Sequence, residues 1–186
     1  MTVLFTADLH LGHEKILTVR DVFHNIDEHD NVLIDKWNAK VKKNDEVYIL
    51  GDLSFRSPRH ISYYLSRMKG RKHLIVGNHD GHWMRHVEQM NVYFESVDYL
   101  KTIKLDKKQI TLCHYPMLEW PGSRCVETET SYLIHGHIHS AKDSKVYGHI
   151  KEYQPHSLNA GVDINHYEPV TFEELKENNA CWYERK

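Results

Sequence analysis

Asp8 and His10 in "ADLHLGH", Asp52 in "ILGDLSFR", Asn78 and His79 in "VGNHD", His114 in "CHYP", and His137 and His139 in "HGHIHS" gather carboxylate, amide and imidazole groups into five short phrases. That mixture of oxygen and nitrogen donors suits Mn, Fe, Zn or Ni better than it suits a thiolate zinc site or an all-oxygen calcium cage. Seven ligands, Asp8, His10, Asp52, Asn78, His114, His137 and His139, are too many for one ion. If Asp52 bridges, two ions each receive four protein donors and keep open positions for solvent and substrate oxygens, which points to a dinuclear catalytic site. Each phrase alone is weak, because a lone Asp or His after an apolar run is usually a turn or capping residue. Their repetition at successive strand ends is the stronger signal.

Groups so far apart in sequence meet only if strands deliver them to one rim. "TVLFTAD", "DEVYILGD", "RKHLIVGNHD", "QITLCHYP" and "SYLIHGHIH" are β-branched and apolar runs that each finish in one of these residues, so five strands are expected. Gly51, Gly77 and Gly136 precede ligands, where a backbone must pass close to an ion or take positive φ. Asp8 with His10, and His137 with His139, lie two apart and would project to one side of an extended segment. His135 points the same way from deeper in its strand, where packing or a hydrogen bond to a ligand suits it better than ligation.

Leu33, Ile34, Trp37 and Val41 recur at helical spacing between the first two strands, with acids early and lysines late. Pro58 can open a second helix through Met68, with Ile61 and Leu65 on one face. From about Tyr93, "VDYLKTIKLDKKQITLCH" reads as two strands joined at Asp106-Lys107-Lys108, and Thr171 with Glu174 as a capping box on a last helix. Strands alternating with helices imply an α/β layout, in which ligands gather beyond the carboxyl ends of the strands.

The 186 residues, 40% of them hydrophobic, fit a single domain over 1–186. A formal net charge of −2 provides no general field for holding duplex DNA, so any nucleic-acid contact must be local. Cys113, Cys125 and Cys181 have unrelated spacings that suit reduced packing thiols. The first ten residues lack a basic leader, and no run of apolar residues is long enough to span a membrane, which together make a cytoplasmic protein the expectation. Of the sixteen histidines, His24, His29, His60, His82, His86, His149 and His166 are expected at the surface. Tyr115 and Trp120 are aromatic neighbours of His114 that could stack on a base or pack. Asn159 and Asp163 in "NAGVD" are expected in a turn beside the site, without a chemical role.

Taken together, the blocks D-L-H (8–10), G-D (51–52), G-N-H-D (77–80), H (114) and G-H-I-H (136–139) resemble those of the calcineurin-like metallophosphoesterases, and "CHYP", "HGHIHS" and "LNAGVDINHYEPV" resemble the small single-domain bacterial and phage-type members. The resemblance implies a four-layer α-β-β-α sandwich of two mixed sheets. It implies one metal on Asp8, His10, Asp52 and His139, and a second on Asp52, Asn78, His114 and His137. It further implies a shared hydroxide that attacks phosphorus, with His79 as the non-ligand catalyst. Mn²⁺ is the expected metal, with Fe, Ni, Zn or Mg as alternatives. Asp80 would either orient His79 or cap the next helix.

The protein serine/threonine phosphatases of that superfamily carry a His-orienting Asp where this chain has Phe55, which counts against a protein phosphatase. Arg56 aligns with a phosphate-binding arginine, and His13 is a second candidate substrate contact. With no room for an inserted cap, an open site favours a phosphodiesterase acting on nucleotides, cyclic nucleotides or nucleic-acid ends. A phosphomonoesterase or a nuclease is the alternative, with "KGRKH" and "RSPRH" supplying local positive charge. A non-catalytic scaffold ranks last, since all ligands and His79 are present.

Overall fold

The computed structural model describes residues 1–124, 126–140 and 145–184 of the chain, so Cys125 lies outside the described residues. β1 (Val3–Thr6), β2 (Glu46–Ile49), β3 (Arg71–Ile75) and β4 (Ser96–Asp98) form one parallel sheet in that order. β5 (Leu100–Leu105), β6 (Lys108–Cys113), β7 (Ser131–His135) and β8 (Ser157–Asn159) form the other, with β5 antiparallel to β6 and the remaining neighbours parallel. Antiparallel pairing in the first sheet is confined to an isolated bridge between Phe5 and Val170.

Side chains alternate across each strand, and the alternation sorts them into layers. Leu4, Val47, Ile49, Leu74 and Val76 pack with Leu33, Ile34 and Trp37 of α1 (Ile26–Lys40) and with Ile61, Tyr64 and Leu65 of α2 (Ile61–Leu65). Their alternates Phe5, Tyr48, Leu50 and Ile75 meet Ile110, Leu112, Tyr132, Ile134 and Leu158 of the other sheet, so the two sheets are pressed face to face. Burying each such aliphatic side chain is worth about 1.5–3 kcal/mol, which is what holds the strand ends at a common rim. α3 (Gly81–Met84) follows β3, and Trp83 joins the outer core. Beyond the second sheet, α4 (Lys145–Tyr153) buries Tyr147 and Ile150.

α5 (Phe172–Glu184) is opened by the expected capping box: the Thr171 N–H donates to Glu174 Oε2 at 2.7 Å, and the Glu174 N–H reaches Thr171 Oγ1 at 3.4 Å. Phe172 and Leu175 enter the core between the sheets, so α5 closes the gap beside β1 and β8.

Three expectations shift. Helix α2 spans only Ile61–Leu65, because the chain turns at Ser66 and reverses at Gly70, whose φ is +86°. The stretch read as two strands holds three: Ser96–Asp98 completes the first sheet before the chain crosses into the second, and a two-residue turn at Asp106 and Lys107, both at positive φ, makes the hairpin. His29, expected at the surface, is fully buried on α1 against Phe23.

Candidate metal centre

β1 ends at Thr6 and β7 at His135, so the ligands lie just past the strands rather than on them. Asp8 (φ 59°), His10 (52°), Asp52 (53°), His137 (72°) and His139 (48°) all occupy the left-handed region. The expectation of an extended segment is therefore corrected. Single left-handed residues, not the pleat of a strand, fold Asp8 with His10 and His137 with His139 into the same space. Asp and His tolerate this region better than most residues, yet each such position costs on the order of 1–3 kcal/mol and persists only where the surroundings impose it. Here main-chain bonds impose it: the Asp8 N–H donates to Gly51 O at 3.0 Å, the His10 N–H to Asp52 O at 2.9 Å, and the His137 N–H to Asp8 Oδ2 at 2.9 Å. A Cβ on Gly77 would lie 2.5 Å from Asp52 Oδ1, and one on Gly51 would strike the His114 ring, so both glycines are needed for this close approach.

Two donor groups result. Asp8, His10 and His139 present atoms within 4.8 Å of one another, and so do Asp52, His114 and His137. Asp52 joins them, with Oδ2 3.7 Å from His10 Nε2 and 3.6 Å from His114 Nε2. Asn78 Oδ1 stands 2.9 Å from His114 Nε2 and 3.0 Å from His137 Nδ1. His114 gives its Nδ1 proton to Leu50 O at 2.8 Å, which leaves the Nε2 lone pair facing Asp52 and Asn78. His10 Nε2 is buried with no hydrogen-bond partner. Burial and the neighbouring His139 and Arg20 push the His10 imidazole far below its ordinary pKa, keeping it neutral with a lone pair to give. Burial also raises the Asp8 carboxyl to about 6. Buried lone pairs converging without protons between them are what divalent cations require, so the residues fit the implied metals.

His79 stands beside this set without joining either donor group. Its N–H donates to Asp52 Oδ1 at 2.9 Å, its Nε2 is 3.9 Å from Asp52 Oδ2, and its ring reaches solvent. Phe55 packs on that ring at 4.0 Å between centroids, taking the place of an orienting carboxylate with a steric wall. Asp80 stands at the N-cap position of α3, as one expectation had it, but its side chain is engaged elsewhere. Its buried carboxylate accepts the N–H groups of Asp52 (2.9 Å), Leu53 (2.9 Å) and Gly77 (2.8 Å) and the Trp83 indole N–H (2.9 Å), tying the two glycine loops together. It makes no side-chain cap on α3. His13 lies at the site, with Nδ1 3.2 Å from His10 Nδ1, and the guanidinium of the exposed Arg56 sits 5.1 Å over the Phe55 ring. Tyr115 is exposed, its ring centroid 4.8 Å from that of His137, and Trp120 is buried and donates to Ser131 Oγ at 3.2 Å.

The residues that sequence reasoning missed form the support. His139 Nδ1 is 3.0 Å from Asp163 Oδ2, which fixes the imidazole with Nε2 turned toward Asp8 and His10. Asp163 is gripped by Arg20, Nε to Oδ1 at 2.7 Å and Nη2 to Oδ2 at 3.0 Å. The same buried guanidinium donates to Asp8 O at 2.6 Å and Leu9 O at 3.0 Å and touches His29 Nε2 at 2.9 Å. His29 Nδ1 in turn meets Asp30 Oδ1 at 2.9 Å, and Asp30 accepts the Gly12 N–H. This explains the burial of His29. Burial alone would raise the Asp163 carboxyl, but His139 and Arg20 hold it well below the usual carboxylate range. Asp163 ends an apolar run as the metal ligands do, a signal that was present in "LNAGVD"; Arg20 carried none.

His135 is not a ligand. Its Nδ1 donates to Gly136 O at 2.9 Å, and complete burial lowers its pKa to about 4. A pKa depressed in the folded state contributes stability above the unfolded value of 6.5, and that stability is lost as pH falls toward 4. A His135→Leu variant, which has nothing to protonate there, should gain about 3 kcal/mol relative to the parent between pH 7 and pH 4 in urea unfolding of the chelator-treated proteins. Parallel pH dependences would contradict the burial of a neutral imidazole.

The model of the calcineurin-like phosphoesterase superfamily domain matches residues 1–162. The Gene 66 protein of Mycobacterium phage D29 is 32% identical, covering 94% of each chain. The corresponding protein of Mycobacterium phage L5 is 34% identical over 73% of this chain and 76% of its own. Uncharacterized protein MJ1445 of Methanocaldococcus jannaschii is 26% identical, covering 92% of this chain and 87% of its own. Among solved structures, AQ665 of Aquifex aeolicus, a protein of unknown function, superimposes with a TM-score of 0.69 at 26% identity, covering 94% of this chain and 97% of its own. No helix among the described residues is long and apolar enough to cross a membrane.

Proposed function

Because the chain belongs to the calcineurin-like phosphoesterase superfamily, we propose that it is a metal-dependent phosphodiesterase acting on nucleotides, cyclic nucleotides or nucleic-acid ends. The observation that carries this reading is the pair of donor groups joined by Asp52, with His79 beside them and outside both. Asp8, His10, Asp52 and His139 would hold one divalent ion, and Asp52, Asn78, His114 and His137 the other, with Mn²⁺ first among the candidate metals. When bound, two such ions supply Lewis-acid charge that polarises the phosphoryl oxygens and makes water nucleophilic near neutral pH.

The chain's own residues do the rest. The Arg20–Asp163 pair presents His139 and the Asp8 loop in fixed orientation before substrate arrives, so little reorganisation remains. His79 Nε2 faces the space beside Asp52 and can pass a proton to the departing ester oxygen, a role that suits an imidazole near neutral pH. Phe55 limits how that ring can turn. His13, whose ring centroid lies 5.2 Å from that of His10 and 6.4 Å from that of His79, is placed to contact substrate. His79 and His137 both reach solvent, which favours a substrate with groups on both sides of the phosphate.

The reading is tested on bis(p-nitrophenyl) phosphate, 2′,3′- and 3′,5′-cyclic nucleotides and short oligonucleotides with Mn²⁺. His79→Ala should lower kcat by about 10²–10⁴ while the bound metal is unchanged. Undiminished kcat would remove His79 from the chemistry, and failure to hydrolyse any diester, with monoesters turned over instead, would replace the phosphodiesterase by a phosphomonoesterase.

A further inference from the structure

Arg56, Ser57, Arg59, His60, His82 and His86 line a pocket of about 190 Å³ whose walls hold no carboxylate. Phe55 connects it to the metal centre: its ring centroid lies 4.0 Å from that of His79 and 5.8 Å from that of His82, and the Arg56 guanidinium sits 5.1 Å over the same ring. Among the described residues Arg56 makes no ion pair, and its backbone is held at φ 50°, a conformation a long side chain adopts only under constraint.

The other walls are partly committed, which narrows what the pocket can bind. Arg59 is held by Asp27 at 2.6 Å and lies 4.7 Å over Tyr63, Ser57 Oγ is 2.9 Å from Tyr64 Oη, and His60 uses both ring nitrogens on Ser62 Oγ and His86 O. The groups left for a ligand are the Arg56 guanidinium and the exposed imidazoles of His82 and His86, whose rings lie 6.4 Å apart. Two imidazoles and a guanidinium without a carboxylate make a poor cation site. They make a good site for a phosphate, which a guanidinium meets with two parallel hydrogen bonds.

Resting on the phosphodiesterase reading, we propose that this pocket is a second phosphate subsite, and that the substrate carries a non-reacting phosphate next to the one that is cleaved. Arg56 is then a residue for that neighbouring phosphate and not for the reacting one. The substrate class this selects is a short single-stranded oligonucleotide or a dinucleotide with a terminal phosphate; a simple aryl diester or a cyclic mononucleotide leaves the pocket empty.

Two measurements test it. Thymidine dinucleotides with and without a 5′- or 3′-terminal phosphate are compared in kcat/KM, and at least one phosphorylated form should exceed the unphosphorylated one tenfold or more. That ratio, which divides out any general loss of activity, should fall to near one in Arg56→Gln and in the His82→Gln/His86→Gln double variant. Separately, inorganic phosphate is titrated into metal-free protein while the imidazole proton resonances of His82 and His86 are followed by NMR; they should shift with saturation, and the shift should vanish in Arg56→Gln. A ratio near one in the unaltered protein, a ratio unchanged by the substitutions, or His82 and His86 resonances indifferent to phosphate would each overturn the subsite. If no diester is hydrolysed at all, the phosphodiesterase reading fails, and the titration still decides whether the pocket takes phosphate.

Discussion

Asp52→Asn is expected to reduce diester hydrolysis to below about one-thousandth of the parent rate, with the fold intact. The substitution isolates charge from shape. Asparagine is among the few residues that occupy the left-handed region readily, so the φ of 53° at this position is retained. Its carbonyl oxygen can still accept the His79 N–H that Asp52 Oδ1 accepts at 2.9 Å. What disappears is the carboxylate that stands between His10 Nε2 at 3.7 Å and His114 Nε2 at 3.6 Å, and with it the charge shared by the two donor groups. An amide NH₂ turned toward those lone pairs would satisfy them with protons and close the space to cations. Steady-state rates with Mn²⁺, together with a circular dichroism melt, separate the two effects; a variant that melts as the parent does and keeps its rate would refute the shared role of Asp52.

Arg20→Met should have the largest effect on stability, a loss of about 3–5 kcal/mol in chemical denaturation. Methionine fills a similar volume but leaves Asp163 buried with no countercharge, and it deprives the carbonyls of Asp8 and Leu9 of their donors. Arg20 is 1% exposed, so water cannot substitute for those bonds. A second consequence reaches the site. Asp163 freed from Arg20 no longer holds the His139 imidazole in one orientation, and metal affinity should fall about 10–100-fold. Asp163→Asn provides the comparison: it keeps an oxygen within reach of His139 Nδ1 and abolishes the buried charge, so it should lose less stability than Arg20→Met. Unfolding within 1 kcal/mol of the parent in Arg20→Met would mean that the buried network contributes no more than a surface ion pair.

The candidate ligands were legible because they follow short runs rich in β-branched and aliphatic residues, which suit strands buried on both faces. Their carboxyl ends then share a rim. The support was not legible, because Arg20 and Asp163 stand 143 positions apart and nothing local marks either as the other's partner. His29 lies at helical spacing from Leu33 and Trp37 on the buried face of α1, but the partners that let an imidazole be buried there, Arg20 and Asp30, are not announced by that spacing. Two strands of three residues, Ser96–Asp98 and Ser157–Asn159, are too short for alternation to announce, and they exist because longer neighbours pair with them. The left-handed backbone at five ligands was equally silent, since Asp and His also occupy ordinary strand ends. Arg56 was read from its alignment with a phosphate-binding arginine four residues after Asp52; that its guanidinium would sit 5.1 Å over the Phe55 ring was not legible.

The central claim, two ions joined by one carboxylate, is tested most directly by counting metal. Metal-stripped protein is equilibrated with Mn²⁺, dialysed and analysed for manganese per chain. Two ions per parent chain, and loss of tight binding at one or both positions in Asp52→Asn, are the predicted results. A single ion per parent chain, or two ions bound with equal affinity by the parent and by Asp52→Asn, would contradict it.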